Sequence, residues 1–215
     1  MNGSFSVKLF QELPVVGILR GFKTDLLADI VGAAIRGGLR NLEITMNTPD
    51  AARQIQDAIA LAEGRLNVGA GTVINGQRLD EALAVGASFV VTPTVDPQII
   101  GECVERKVPV FPGALSPTEV VSAWELGATI VKIFPAETLG PGYIRALKAS
   151  LPHIKLMPTG GVDLKTLPAF LEAGADGFGV GSPLFDRDRI ESRDWSWLES
   201  QCRAFAETYR QAFRG

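Results

Sequence analysis

The sequence is poor in the residues that hold metal-dependent or disulfide-bonded folds together. It contains two cysteines, Cys103 and Cys202, which lie far apart and outside any CxxC motif, and one histidine, His153. A disulfide framework or a zinc site needs more ligands at shorter spacing, so we expect neither. Because His153 falls in a predicted helix-to-strand loop, histidine-based catalysis is not expected either.

Long apolar runs and basic runs are also missing. No stretch approaches the roughly 18 apolar residues of a membrane span, and the N-terminus lacks the charged and apolar regions of a signal peptide. Lys and Arg number 21 against 24 Asp and Glu, without a basic cluster. This charge pattern offers no footprint for nucleic acid or an anionic membrane. We therefore expect a cytoplasmic protein that binds neither nucleic acid nor membrane.

What the chain does contain is a regular alternation of β-branched runs and helical segments rich in Ala and Leu. Leu26, Leu27, Ile30 and Val31, for example, share one face of a predicted helix. Eight strands are predicted, and they begin at Val15, Arg40, Asn67, Phe89, Val108, Ile130, Lys155 and Gly177.

Parallel strands joined by helices need both faces of the sheet covered, or closure into a barrel. Eight such units without a change of composition predict a closed (β/α)8 barrel, with residues 1–215 forming a single domain and an extra helix at the N-terminus. An open, doubly wound sheet is the alternative. It usually has a Gly-rich dinucleotide turn after its first strand, which Gly17-Ile18-Leu19-Arg20-Gly21 does not provide.

Lys132 is the most unusual residue in this pattern, because it lies within an apolar predicted strand. A buried lysine has a lowered pKa, so more of its amine is free to attack a ketone. Glu43 lies between apolar neighbours on another predicted strand and could shuttle the protons of such a reaction. The structural alternative is a buried ion pair between Glu43 and Lys132, and strand position alone does not separate the two interpretations.

Two Gly-rich loops follow the last two predicted strands. In barrels these loops often bind phosphate through backbone N–H groups. Glycine lets the backbone approach the anion closely, and a serine hydroxyl adds a donor. The predicted phosphate-binding residues are Gly160, Gly161, Gly181 and Ser182.

Six short motifs also occur in a fixed order, and together they carry a family resemblance. They are Glu43-Ile44-Thr45-Met46-Asn47-Thr48-Pro49, Gly69-Ala70-Gly71-Thr72-Val73, Val91-Thr92-Pro93, Phe111-Pro112-Gly113, Val131-Lys132-Ile133-Phe134-Pro135 and Gly160-Gly161-Val162. From about Pro14 to about Phe185 the chain resembles the 2-keto-3-deoxy-6-phosphogluconate/4-hydroxy-2-oxoglutarate (KDPG/KHG) aldolase family.

The resemblance implies a (β/α)8 barrel, a homotrimer, and a class I aldolase without metal or cofactor. Lys132 would form a Schiff base with the substrate ketone, and Glu43 would be the general acid/base. The remaining substrate contacts implied are Arg20 to an anion, Thr72 to the carboxylate, Pro93 and Phe134 as pocket walls, and Gly160, Gly161 and Ser182 to the phosphate.

Asn47 is a further expected substrate contact, and it departs from the phosphogluconate branch of the family, which has an arginine as a carboxylate ligand at that place. An amide does not replace a charged, bidentate group, so the carboxylate has to depend on Thr72, Arg20 or backbone donors. The Asn47-Thr48-Pro49 form is similar to the branch that acts on 2-keto-3-deoxy-6-phosphogalactonate. Either epimer would yield pyruvate and glyceraldehyde 3-phosphate.

Two other functions remain open from the sequence. A different phosphate-binding barrel enzyme, such as an isomerase, decarboxylase or synthase, would keep the Gly-rich loops and form no imine. A non-catalytic barrel that binds a sugar phosphate would lack the amine or the acid, whereas Lys132 and Glu43 are both present.

Overall fold

The computed structural model describes residues 4–214. Its strands are β1 (Val15–Leu19), β2 (Asn41–Thr45), β3 (Asn67–Gly71), β4 (Val90–Val91), β5 (Val110–Phe111), β6 (Gly113–Ala114), β7 (Val131–Ile133), β8 (Leu156–Pro158) and β9 (Phe178–Val180). Its helices are α1 (Val7–Glu12), α2 (Leu27–Arg36), α3 (Ala51–Ala62), α4 (Gly76–Ala84), α5 (Pro97–Glu105), α6 (Pro117–Glu125), α7 (Gly140–Ser150), α8 (Leu167–Glu172), α9 (Arg187–Glu191) and α10 (Trp195–Arg214).

Local sequence signals account for where several helices begin and which face they bury. Ser116 caps α6 with a capping box: its hydroxyl accepts from the Glu119 amide at 3.3 Å, and the Glu119 carboxylate accepts from the Ser116 amide at 2.7 Å. On α2, Leu27, Ile30 and Val31 are buried on one face, as the apolar spacing predicted.

All strand pairs are parallel, and they form two sheets. The larger sheet has six strands in the order β5-β4-β3-β2-β1-β9, and the smaller has three in the order β6-β7-β8. In the larger sheet Glu43 pairs with Ile18 and Gly69, and in the smaller Lys132 pairs with Gly113 and Met157. Glu43 and Lys132 therefore each lie on a strand that has a neighbour on both sides.

The prediction of one closed eight-stranded barrel is wrong, because the ladders are interrupted. The predicted strand from Val108 is divided at Pro112, which has no N–H to donate, into β5 in one sheet and β6 in the other. Between β8 and β9 only a single bridge, from Thr159 to Gly179, is formed. The strands near both breaks are two or three residues long.

The two sheets nevertheless share an apolar core. A buried cluster draws residues from strands of both, and its members are Val16, Phe89, Val91, Phe111, Ile130 and Met157. Phe10 of the N-terminal helix α1 packs against this cluster. A second, larger cluster lies between the strands and the surrounding helices. Side chains on the strands thus meet across the shared core, which is the condition for Glu43 and Lys132 to act on each other.

In the described part of the chain, no helix is both long and apolar enough to cross a membrane.

Candidate active site

Lys132 lies in the middle of β7 and is 6% exposed. Its Nζ is 4.9 Å from the centroid of the Phe134 ring. Burial lowers the pKa of the Lys132 amine, the Arg20 charge lowers it further, and the negative charge of Glu43 acts in the opposite direction. The net lowering leaves more neutral amine at a given pH than an exposed lysine has.

Glu43 lies in the middle of β2 and is 1% exposed. Neither carboxylate oxygen has a hydrogen-bond partner among the described residues. Burial raises the pKa of the Glu43 carboxyl, and the positive charges of Lys132 and Arg20 oppose this rise. Glu43 is therefore a buried acid that holds its proton more readily than usual, and both of its oxygens are free to form hydrogen bonds with a ligand.

The direct ion pair that the sequence left open is not formed. No described residue, Lys132 included, donates a hydrogen bond to the Glu43 carboxylate. Buried polar groups in folded proteins are nearly always paired, and exceptions tend to occur where a ligand or a proton is handled. The Lys132 amine and the Glu43 carboxyl are thus near enough to shift each other's pKa, but they form no hydrogen bond with each other.

Gly71 makes room for the Glu43 side chain, a role that the sequence did not predict. A Cβ at Gly71 would lie 1.7 Å from Glu43 Oε1 and 2.4 Å from its Cδ. The carboxyl group therefore occupies the space above the last residue of β3 that any side chain there would fill. A glycine inside a strand is typical of such a close approach, and this was the available signal.

We expect Gly71→Ala to lower kcat about 100-fold, because the added methyl group forces the Glu43 carboxyl out of place and misplacement by about 1 Å costs that much. Steady-state kinetics measure the loss. Gly101→Ala is the control, since a Cβ at Gly101 meets nothing within 4 Å, and it should leave kcat unchanged. Full activity of Gly71→Ala would contradict the proposed importance of the Glu43 position.

Arg20, Asn47 and Thr72 follow β1, β2 and β3, so they lie at the carboxyl ends of adjacent strands. Arg20 and Asn47 are exposed, and Arg20 is close enough to affect the pKa of Glu43 and Lys132. Thr72 has φ of 55°, which is unusual for a β-branched residue, and its carbonyl accepts a hydrogen bond from Arg78 at 3.3 Å. The structure thus places all three predicted substrate contacts at one edge.

Pro93 and Phe134, the predicted walls, follow β4 and β7. Pro93 is half-buried, and its carbonyl oxygen would lie 2.5 Å from a Cβ at Gly113. Phe134 is 40% exposed and lies over the Lys132 amine. The aromatic ring therefore covers one side of the amine and leaves part of its own face free.

The two predicted phosphate loops lie next to each other, because Thr159 and Gly179 at their bases form the bridge between β8 and β9. Gly160 and Gly161 have φ of 90° and 71°, which residues with a Cβ rarely adopt. A Cβ at Gly161 would also lie 2.7 Å from the Cβ of Glu137.

The second loop has open space around it. A Cβ at Gly181 would meet no atom within 4 Å, and Ser182 is exposed. Gly161 is exposed and Gly160 and Gly181 are half-buried, so part of the backbone of each loop is accessible, as an anion site requires.

Within the described residues, neither the larger surface clefts, nor clusters of metal-binding side chains, nor the cysteines indicate a second active site. The larger surface clefts lie near the opposite edge of the sheets, where Ser88 and Pro109 precede β4 and β5. Within residues 4–214, no group of three or more His, Cys, Asp or Glu side chains could hold a metal ion. Cys103 and Cys202 are buried, and burial raises the pKa of each thiol to about 12.

Comparison with known proteins gives a consistent picture. The family model described as "KDPG and KHG aldolase" matches residues 7–201. The 2-dehydro-3-deoxy-6-phosphogalactonate aldolase of Escherichia coli K12 is 35% identical over 202 residues, which are 94% of this chain and 97% of that protein.

Solved structures agree with the sequence comparison. A structure titled "Native KDPGal structure" superposes with a TM-score of 0.89 at 33% identity and covers 99% of this chain and 100% of its own. KDPG aldolase from Legionella pneumophila, with pyruvate captured as a covalent carbinolamine, has a TM-score of 0.85 at 26% identity and covers 92% of this chain and 96% of its own.

Proposed function

Since the chain belongs to the KDPG and KHG aldolase family, and is therefore an aldolase, we propose that Lys132 is its Schiff-base lysine and Glu43 its general acid/base. The observation that carries this proposal is the buried Lys132 amine beside a buried carboxyl without a hydrogen-bond partner. The substrate would be a 2-keto-3-deoxy-6-phospho sugar acid, cleaved to pyruvate and glyceraldehyde 3-phosphate.

The reaction begins when the neutral Lys132 amine attacks the C2 ketone. Glu43 delivers a proton to the carbinolamine hydroxyl, water leaves, and a protonated imine forms. The imine accepts the electron pair of the C3–C4 bond as that bond breaks, while the Glu43 carboxylate takes the C4 hydroxyl proton through a water. The aldehyde departs, the resulting enamine is protonated at C3, and hydrolysis frees pyruvate and restores the amine.

The shifted pKa values suit these steps. A lowered pKa at Lys132 supplies the neutral nucleophile, and a raised pKa at Glu43 lets one carboxyl both give and take a proton near neutral pH. Both shifts arise from burial, so the side chains gain their reactivity from the same apolar surroundings that made them unusual in the sequence.

The anionic groups of the substrate would bind at the edge formed by the strand ends. Thr72 and backbone donors would hold the carboxylate, and Arg20 would supply positive charge. Gly160, Gly161, Gly181 and Ser182 would hold the phosphate through their N–H groups and the serine hydroxyl. The positive φ of Gly160 and Gly161 and the open space at Gly181 support this assignment.

For the substrate epimer we propose the phosphogalactonate type. Asn47 stands where the phosphogluconate branch has an arginine, and it is exposed at the same edge as Thr72. The relative from Escherichia coli carries the phosphogalactonate name. Steady-state kinetics with both phosphorylated epimers and with 4-hydroxy-2-oxoglutarate, followed by pyruvate release, test this. The highest kcat/KM should belong to the phosphogalactonate epimer, and a preference for either other substrate would contradict the assignment.

The Arg20 charge is expected to affect how kcat/KM depends on pH. Formation of the carbinolamine needs the neutral Lys132 amine, so kcat/KM rises with pH through the pKa of that amine. Since Arg20 lowers this pKa, Arg20→Gln should raise it and move the rise of kcat/KM to higher pH. Lys23→Gln, the same change of charge in the same exposed loop, is the control and should cause no shift. An unchanged or lowered midpoint in Arg20→Gln would contradict the placement of its charge.

We also propose that the protein is a homotrimer, as the family resemblance implies. Three exposed apolar side chains, Leu115, Phe134 and Leu139, follow β6 and β7, with exposures of 41%, 40% and 40%. The Phe134 amide donates to the Ala114 carbonyl, so this apolar surface extends across two strand ends. A subunit contact would cover it. Light scattering on the purified protein should give three times the chain mass.

A further inference from the structure

Arg187, the first residue of α9, contacts the loop that carries Arg20. Its Nη2 donates a hydrogen bond to the Arg20 carbonyl at 3.3 Å, and its Cζ lies 5.0 Å from the centroid of the Phe22 ring. Its Nη1 donates to the Glu191 carboxylate at 3.0 Å. One guanidinium thus joins the backbone of one loop, an aromatic ring and a carboxylate.

The loop after β1 is held at three successive residues. The Gly21 amide donates to Thr48 Oγ1 at 2.9 Å, and Gln54 Nε2 donates to the Phe22 carbonyl at 3.1 Å. Within residues 4–214, the side chain that donates a hydrogen bond to the Arg20 carbonyl is that of Arg187. The Arg20 carbonyl and the Gly21 amide belong to one peptide unit, so Arg187 and Thr48 hold the two polar groups of the unit that follows the Arg20 side chain, and Gln54 holds the next residue.

Gly21 allows Arg187 to approach this backbone. Gly21 has φ of 72°, and a Cβ there would lie 3.3 Å from Arg187 Nη2. The guanidinium consequently lies close to the loop, where a side chain at position 21 would crowd it. Arg187 also lies five residues after Ser182 in the sequence, so it connects the loop after β9 to the loop after β1.

We propose that Arg187 is a positioning residue, which holds Arg20 at the strand ends where the substrate anion binds. This inference rests on the proposed function, since Arg20 is a substrate contact only if the chain binds an anionic keto acid there. We assign Arg187 no direct contact with the substrate, since each of its terminal nitrogens already donates one hydrogen bond within the protein, to Glu191 and to the Arg20 carbonyl.

The test is a double-mutant cycle with Arg187→Gln and Arg20→Gln, measured with the phosphorylated substrate. Arg187→Gln should raise KM about fivefold, the effect of one ordinary hydrogen bond at an exposed site, while kcat changes less than about twofold. Arg187→Lys should recover part of this loss, because lysine keeps the charge and one donor. In the Arg20→Gln background, Arg187→Gln should have no further effect on KM.

Arg189→Gln is the matched control. Arg189 lies on the same helix, pairs with Asp194 at 3.0 Å and lies 6.0 Å from the Trp197 ring, so its surroundings are similar but its partners are different. The KM of Arg189→Gln should equal that of the unaltered protein. A comparable rise of KM in Arg189→Gln would assign the effect to the helix as a whole and overturn the proposal.

Other outcomes separate the proposal from the function on which it rests. An unchanged KM in Arg187→Gln, or additive effects in the double variant, would overturn the positioning role, additivity indicating a direct contact with substrate. Trapping with pyruvate and borohydride, run in parallel on the unaltered protein, reports on the function itself. Absence of a lysine adduct there would overturn the proposed function, whereas an adduct with an unchanged KM in Arg187→Gln would overturn only the role of Arg187.

Discussion

Lys132→Met is expected to lower kcat/KM by about 10⁴-fold or more, because it removes the nucleophile that forms the covalent intermediate. The thioether side chain has a similar length and suits the apolar surroundings, so the fold should be retained. A lyase assay coupled to pyruvate reduction measures the loss. Lys155→Met, at an exposed lysine next to β8, is the control and should keep full activity.

A second substitution at the same position separates charge from nucleophilicity. Lys132→Arg keeps a positive charge near Glu43, but a guanidinium stays protonated and forms no imine. It should be as inactive as Lys132→Met. If Lys132→Arg retained more than about a tenth of the activity, the lysine would be acting as a fixed charge, and the covalent mechanism would be wrong.

Glu43→Gln is expected to lower kcat about 10²- to 10⁴-fold, the usual range for loss of a general acid/base. Glutamine has the same shape and adds no charge, so the site near Gly71 should still accommodate it. The amide neither gives a proton to the carbinolamine nor takes one from the C4 hydroxyl. Steady-state and single-turnover rates measure the effect.

The control for this variant is Glu105→Gln, which changes an exposed carboxylate at the end of α5 and should leave kcat unaltered. Thermal unfolding of Glu43→Gln should show a melting temperature no lower than that of the unaltered protein, because a buried ionisable group is replaced by a neutral one. A loss of activity explained by unfolding would count against the assignment, as would a variant with normal turnover.

The positions of the strands were predictable from the sequence, but their pairing was not. β-branched runs beginning at Val15, Asn67 and Lys155 lie in or next to β1, β3 and β8, because local alternation reports directly on strand formation. Closure of the sheet depends on which N–H groups are available between neighbours. The missing donor at Pro112 divides one predicted strand between two sheets, so the closed barrel was wrong.

The start of α3 shows the same difference between local and tertiary signals. Thr48-Pro49 has the sequence pattern of an N-cap, yet the helix begins at Ala51 after Asp50. The Thr48 hydroxyl instead accepts a hydrogen bond from the Gly21 amide. A contact across 27 positions of the chain thus uses a side chain whose local sequence is typical of a helix N-cap.

Within the candidate site, the sequence indicated the charged groups and missed the residues that position them. Lys132 and Glu43 were conspicuous because charge is costly within an apolar strand. The contact of Gly71 with Glu43, and the contact of Arg187 with Arg20 on which our proposal rests, join different elements of the fold, which a linear pattern does not contain. The roles of the individual site residues, the single domain and the cytoplasmic location stay predictions.

Reductive trapping shows whether Lys132 bonds covalently to a keto acid. The protein is incubated with pyruvate and borohydride, digested, and its peptides are mapped by mass spectrometry. We predict one reduced pyruvyl adduct per chain, located on Lys132, with parallel loss of lyase activity and no adduct in Lys132→Met. An unmodified Lys132, or an adduct on another lysine with activity lost in step, would contradict the account.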